Sequence, residues 1–423
     1  MSWLTAPLRK VAPPVPAQIL FAPDDQVWLL SLDQIESETG EIVGKRYAAA
    51  SNAGTSTFNF DTGNVLYSKL RPYLNKVVIP DEVGIATTEL IPLRPDPKTL
   101  NPRFLAYYLR SPRFVNQASH HVAGAKMPRV VMDWFWEHEA PIPSPKEQSR
   151  IVELLDEADR LRRLRREADA KAARILPALF LKMFGDPATN PKGLPVKLMG
   201  DPAVCEINPR TRVRLDDSVL VSFVAMADVD EVLGRITGTQ SRPYGEVKKG
   251  FTPFKDGDVL FAKITPCMQN GKAAIASGLV GGIGFGSTEF HVLRAGPDVT
   301  PEYLFALVRL QSFRNHAMSA FTGSAGQQRV PTEFLRQFRL PVPTATDLHK
   351  FSNVMRQLIA CQIQAERAAE KLGAQFHLLL QRAFSGQLTA KWREAHMKEL
   401  LAEMEQQARL LNLPLPKELE AVR

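Results

Sequence analysis

The sequence predicts a mixed α/β fold used twice: two globular α/β domains joined by two long helices forming an antiparallel coiled coil, in a pseudo-two-fold repeat. Three observations predict it. Pro141-Ile-Pro143 recurs 200 residues later as Pro341-Val-Pro343, and each opens a long amphipathic helix. The apolar residues of the first helix, Ile151, Leu154, Leu155, Ala158, Leu161, Leu179 and Phe184, return at the same offset as Phe351, Val354, Met355, Leu358, Cys361, Leu379 and Phe384. Ahead of each helix, Asn64-Val-Leu-Tyr-Ser-Lys-Leu-Arg-Pro72 parallels Asp258-Val-Leu-Phe-Ala-Lys-Ile-Thr-Pro266, an offset of 194, and Thr88-Glu89 with Thr288-Glu289 restores 200.

In chain order, residues 1–145 form the first globular domain. Val27–Leu30, Asn64–Tyr67, Lys76–Ile79 and Leu90–Leu93 are short β-like runs between turn signals, and Arg103–Arg110 is a helix bracketed by Asn101-Pro102 and Ser111-Pro112. Residues 146–185 are the first long helix, its apolar positions spaced by three and four along a narrow stripe suited to a helix-on-helix seam. Read as one helix it is roughly 55 Å long at 1.5 Å per residue. Gly185-Asp-Pro187 stops it.

Residues 186–345 form the second globular domain, with strands at Val219–Val224, Asp258–Phe261, Lys272–Ile275 and Phe290–Leu293 and a helix at Glu302–Arg309. Residues 346–390 are the distal helix, which tolerates Gly373 as an internal weak point. A helical tail, 391–423, has no counterpart after the first helix and breaks at Leu413-Pro-Leu-Pro416.

Composition bounds the function. With 423 residues the chain exceeds one compact core, and 44% hydrophobic and 23% charged residues describe a soluble globular protein without a membrane-spanning run or a signal peptide, hence a cytoplasmic one. The three cysteines, Cys205, Cys267 and Cys361, suggest neither a disulfide framework nor a zinc cluster, and the His120-His121 pair has no ligand-spaced neighbours. The net charge of +8 points weakly to nucleic acid, but the excess is spread along the chain rather than gathered in a tail, so the fold must arrange it on one face. Arg160-Leu-Arg-Arg-Leu-Arg-Arg166 lies among Glu153, Asp156, Glu157, Asp159, Glu167 and Asp169 and reads as the solvated flank of a coiled coil.

No catalytic or metal constellation emerges. The Asn-Pro pairs at 101, 190 and 208 lack the second proline and aromatic with which an amino-methyltransferase holds a flipped base, and the glycines between 278 and 286 form no phosphate or dinucleotide loop and read as a turn between strands. What recurs at matched places is a basic, polar and aromatic set. The first domain offers Lys69, Arg71, Tyr73, Asn75 and Lys76, with Lys126 and Arg129 in a glycine-containing loop. The second offers Lys263, Thr265, Gln269, Asn270 and Lys272, with Gln327, Gln328 and Arg329. Arginine and lysine suit guanine edges and phosphates, and asparagine and glutamine suit adenine, so the set fits DNA reading. Any one of these residues taken alone reads equally well as a solvated loop residue.

Three stretches carry a resemblance to a known family. Ala140-Pro-Ile-Pro-Ser-Pro-Lys-Glu-Gln-Ser-Arg-Ile-Val-Glu-Leu-Leu-Asp156, Gly257-Asp-Val-Leu-Phe-Ala-Lys-Ile-Thr-Pro-Cys-Met-Gln-Asn-Gly-Lys272 and Leu378-Leu-Leu-Gln-Arg-Ala-Phe-Ser-Gly-Gln-Leu-Thr-Ala-Lys-Trp-Arg-Glu394 resemble, in turn, the opening of the central conserved helix, a target-recognition-domain motif and the end of the distal conserved helix of type I restriction-modification specificity subunits. The resemblance implies two target recognition domains that each read half of a bipartite site in double-stranded DNA, with the helical pair setting the spacer. It implies no catalysis in this chain, two methylating subunits that bring S-adenosylmethionine, and two restriction subunits that use ATP and Mg. The Glu-Gln signature of the first copy, Pro145-Lys-Glu147-Gln148, is replaced in the second by Ala345-Thr-Asp347-Leu348, where docking of the second methylating subunit is expected to differ in detail. A helical scaffold that organises partner proteins without binding DNA is the alternative reading.

Overall fold

A computed structural model describes residues 3–211, 213–324 and 326–414, which excludes 415–423 of the expected tail, among them Leu415 and Pro416. The chain divides into two compact units, Met1–Leu164 with Ala369–Arg423, and Arg165–Ala368. Each long helix contributes residues to both.

In the first unit, one sheet has the strand order Tyr47–Ala49, Gln26–Leu30, Gly84–Thr87, Thr57–Phe60, with the middle two strands parallel. A second, antiparallel sheet sets Val65–Ser68 between Val77–Val78 and Leu90–Leu93. The β-like runs of the sequence thus contribute strands to both sheets. Gly84 lies opposite Phe60 and beside Trp28, and a Cβ on it would stand 2.6 Å from the Phe60 ring and 2.5 Å from the Trp28 carbonyl. Only glycine allows that approach.

Helix Pro102–Leu109 starts where the Asn101 side chain accepts from the amides of Arg103 and Phe104 with proline at the first helical position, and Pro112–His120 starts in a similar way from Ser111. Both pack with Tyr67, Phe135, Ile151 and Leu155 into one core that also holds Phe376, Leu380 and Phe384 of the distal helix. Within this unit the two long helices run antiparallel. The guanidinium of Arg162 lies 4.3 Å over the Phe376 ring, while Glu147, near the start of the first helix, meets Thr389, past the end of the other.

The described part of the tail, to Pro414, belongs to this unit. Helices Ala390–Ala395 and Met397–Leu410 follow the distal helix, and the second of them buries Leu400, Met404 and Ala408, while Gln407 donates to the carbonyls of Thr99 and Pro143. Gln148 donates to the same two carbonyls at 2.9 and 2.8 Å. Beside it Glu147, fully buried, accepts from Trp3 Nε1 at 3.0 Å, Thr389 Oγ1 at 2.6 Å and Arg393 Nε at 2.8 Å. The Glu-Gln signature therefore joins the N-terminal segment, the helix start and the tail. At the matched positions of the second copy, Asp347 is partly exposed and accepts from Thr344 Oγ1 in an N-terminal capping arrangement, while Leu348 is buried against apolar neighbours.

The second unit repeats the sheets. Ser222–Val224 of strand Leu220–Val224 pairs in parallel with Gly284–Gly286 of Ile283–Gly286, flanked by Gln240–Pro243 and Thr252–Lys255. The antiparallel sheet orders Cys205–Ile207, Phe290–Ala295, Val259–Ala262 and Ala273–Ile275. Gly284 faces Phe254 as Gly84 faces Phe60. Thr300 caps helix Pro301–Arg309 through the Tyr303 amide, as Asn101 caps its counterpart. In the core, Phe180 and Phe184 of the first long helix contact Phe351 of the distal one, with ring centroids 5.9 and 5.2 Å apart.

One expectation is corrected. The first long helix is not a single continuous helix: Pro145–Ala172 ends at a turn through Ala173 and Arg174, and Ile175–Phe184 follows. Pro177 is the cause, because it lacks an N–H and its ring opposes the carbonyl four residues back, at Ala173. The distal helix has no proline and runs unbroken over Ala345–Phe384, through Gly373. At the end of the first helix, Gly185 with φ 80° donates its N–H to the Leu181 carbonyl. The arginine run is paired along its own helix, Arg160 with Glu157, Arg162 with Asp159 and Arg165 with Asp169. The Nδ1 atoms of His120 and His121 bond the carbonyls of Asn116 and Gln117 at a helix end. Among the described residues no helix is long and apolar enough to cross a membrane.

Candidate nucleic-acid interface

In the first unit, strand Val65–Ser68 delivers the chain to Lys69, and the loop after helix Pro112–His120 returns beside it as a short ladder of Val122–Ala123 with Arg129–Val130. Backbone bonds join them: Val130 N to Lys69 O at 2.9 Å, Arg71 N to Pro128 O at 2.7 Å, and Lys69 N to Glu89 O at 3.0 Å. Arg71, held at φ 49°, Tyr73 and Lys126 are exposed around this junction. Lys69, Arg71, Tyr73, Lys126 and Arg129 are thereby drawn to one neighbourhood. Asn75 and Lys76 are engaged elsewhere, since Asn75 Nδ2 donates to the Arg110 carbonyl at 3.1 Å and Lys76 Nζ to the Leu32 carbonyl at 2.6 Å.

The second unit builds the same junction from different side chains. Val330 N bonds Lys263 O at 2.9 Å, Thr265 N bonds Gln328 O at 3.0 Å, and Lys263 N bonds Glu289 O at 2.9 Å. The Gln328 amide also donates to Thr265 Oγ1 at 3.1 Å. Lys263, Thr265, Gln327, Gln328 and Arg329 gather here. Asn270 instead holds Glu231, Lys272 holds the Met226 carbonyl, and exposed Gln269 approaches the Met318 sulfur. A hollow of about 240 Å³ beside Lys263 is lined by Asn208, Phe251 and Thr288. Hollows of about 420 and 460 Å³ elsewhere in this unit are larger but lie apart from the recurrent set, so size does not mark the junction.

Two groups are missed by the sequence reading. Glu89 chelates Arg129 and Glu289 chelates Arg329 with two-pronged hydrogen bonds of 2.7–3.1 Å. The guanidinium in each case holds the carboxyl below the ordinary glutamate range. The recurrence of Thr-Glu at an offset of 200 is the signal that could have found them. His291 is the other: burial lowers it to about 4, its Nε2 donates to the Val330 carbonyl and its Nδ1 accepts from Asn208. Nothing in the sequence signals it, because the first copy has Ile91 at this position.

The arrangement can do specific things. Each unit carries a backbone junction tied by hydrogen bonds, with side-chain donors and acceptors around it able to meet base edges and phosphates. The first presents mainly cations and the second mainly amides and hydroxyls.

Parts of the chain are similar to known proteins. Residues 49–171 match the family model described as the type I restriction modification DNA specificity domain. The chain is 36% identical over 165 residues to the type I restriction enzyme EcoEI specificity subunit of Escherichia coli and 38% identical over 165 residues to the EcoAI specificity subunit of the same organism. Each match covers 39% of this chain and 28% of the relative, so the likeness spans less than a third of those proteins' length. A chain of solved structure, from work on complex assembly and conformational transition of the type I R-M system, superposes with a TM-score of 0.58 at 17% identity over 92% of this chain and 98% of that one, which establishes a shared fold.

Proposed function

We propose that this chain is a member of the family of type I restriction-modification specificity subunits and the DNA sequence-recognition subunit of such a complex. Each unit reads one half of a bipartite double-stranded target, and the long helices set the spacer and dock two methylating subunits. The chain performs no catalysis. S-adenosylmethionine is brought by the methylating partners, and ATP with Mg by two restriction subunits, in the cytoplasm. The observation that carries this reading is one backbone junction made twice, surrounded by unlike side chains: Arg71 and Lys126 in one unit, Thr265 and Gln327 in the other. Equal frames with unequal readers suit two different half-sites at one separation.

Mapping of methylated bases across the host genome, with the gene present and deleted, tests this. One bipartite motif is expected to lose methylation on deletion, and an unchanged methylation map would refute the proposal.

A further inference from the structure

We infer that the Glu89–Arg129 and Glu289–Arg329 pairs position the two recognition loops and that neither arginine reads a base, an inference that rests on the DNA-recognition reading above. Arginine beside a loop of this kind invites the role of guanine reader, which needs two parallel N–H groups aimed at one base edge. Here the fork of Nε and Nη2 is in use. Arg129 spends Nε and Nη2 on Glu89, at 3.1 and 2.7 Å, and Arg329 spends the same two nitrogens on Glu289, both at 2.9 Å. The remaining nitrogen, Nη1, points back into its own loop in each unit, toward the Met127 carbonyl at 3.5 Å and the Gln327 carbonyl at 3.1 Å.

The surrounding backbone shows what the pair fixes. The glutamate follows a threonine in the tight turn between two strands, and its carbonyl accepts from Lys69 in one unit and Lys263 in the other. That lysine's carbonyl accepts in turn from the residue after the arginine, Val130 or Val330. Side-chain and main-chain bonds therefore close a ring around each lysine, tying the loop to the sheet. Between the two copies the loop residues 121–128 and 321–328 differ almost throughout, while glutamate, arginine and lysine are retained. Retained residues hold the frame; the exchanged ones, Arg71 against Thr265 and Lys126-Met127 against Gly326-Gln327, carry the difference between half-sites.

The test uses the full chain, purified with its methylating subunits, and selection from a randomised duplex pool. Failure of the parent to select any motif overturns the recognition reading itself. Given a motif, Glu289→Gln should weaken binding about threefold to fivefold to duplexes carrying the second unit's half-site, with the base preferred at every position unchanged. Arg329→Ala should do the same, and the first half-site should be read as before. The exchanged pair, Glu289→Arg with Arg329→Glu, should recover most of the lost affinity, which a misfolded or merely destabilised loop would not do. A changed base preference in Arg329→Ala, or an exchanged pair no better than the single variants, would overturn the inference.

Discussion

Replacing Glu147 and its counterpart Asp347 by alanine should have very unequal effects, although the two carboxylates stand 200 residues apart at matched positions of a repeat. Glu147 is fully buried and accepts three hydrogen bonds, from Trp3, Thr389 and Arg393. Arg393, whose side chain is only 12% exposed, would be left beside the Gly386 carbonyl and the Thr389 hydroxyl without its counter-charge. Removing one partner of a buried ion pair costs about 3–5 kcal/mol, because the surviving charge stays desolvated. For a unit of this size, that is a fall of about 6–20 °C in melting temperature. Asp347 lies near the surface and contributes a helix cap, so Asp347→Ala should cost only about 0.5–1 kcal/mol. Calorimetry gives the two shifts, and hydrogen exchange should show Met397–Leu410 losing protection in Glu147→Ala alone, since that carboxylate ties the tail to the helix start. Comparable shifts in the two variants, or parent-like exchange in the tail of Glu147→Ala, would refute the account.

Two further outcomes follow from buried groups elsewhere. His291 has its folded pKa lowered to about 4 from an ordinary 6.5 by burial, so the unfolded chain binds the extra proton first, and stability falls as pH drops from about 6.5 to about 4. The full effect is about 3 kcal/mol, with Lys263 disfavouring and Glu289 favouring the charged ring; His291→Ile should lower stability at neutral pH yet flatten the acid limb of the stability curve, and an unchanged slope would count against it. Gly84→Ala and Gly284→Ala should each lose about 1–3 kcal/mol, because the new methyl would press within 2.6 Å of Phe60 or 2.4 Å of Phe254; a parent-like denaturant midpoint for either would contradict the packing.

The sequence by itself determined the duplication, the class of each element and the residue types able to meet DNA. Those are local or periodic properties: alternation and turn signals mark strands such as Val65–Ser68, capping pairs such as Asn101-Pro102 mark helix starts, and equal spacing marks the repeat. It even contained the break in the first long helix, since Pro177 stands within the apolar stripe that argues for continuity. Tertiary structure decided which residues of the recurrent set come together. Lys69 and Arg129 are 60 residues apart, and only the return of the loop to the strand end joins them, while Asn75 and Lys76, near Lys69 in sequence, are turned to other partners. It also decided the roles of Glu89 and Glu289, whose carboxylates occupy the arginines, and of Glu147 and Gln148, whose partners come from distant parts of the chain. Hydrogen bonds between distant segments leave no periodic trace, because each partner is constrained only by where the fold brings the other.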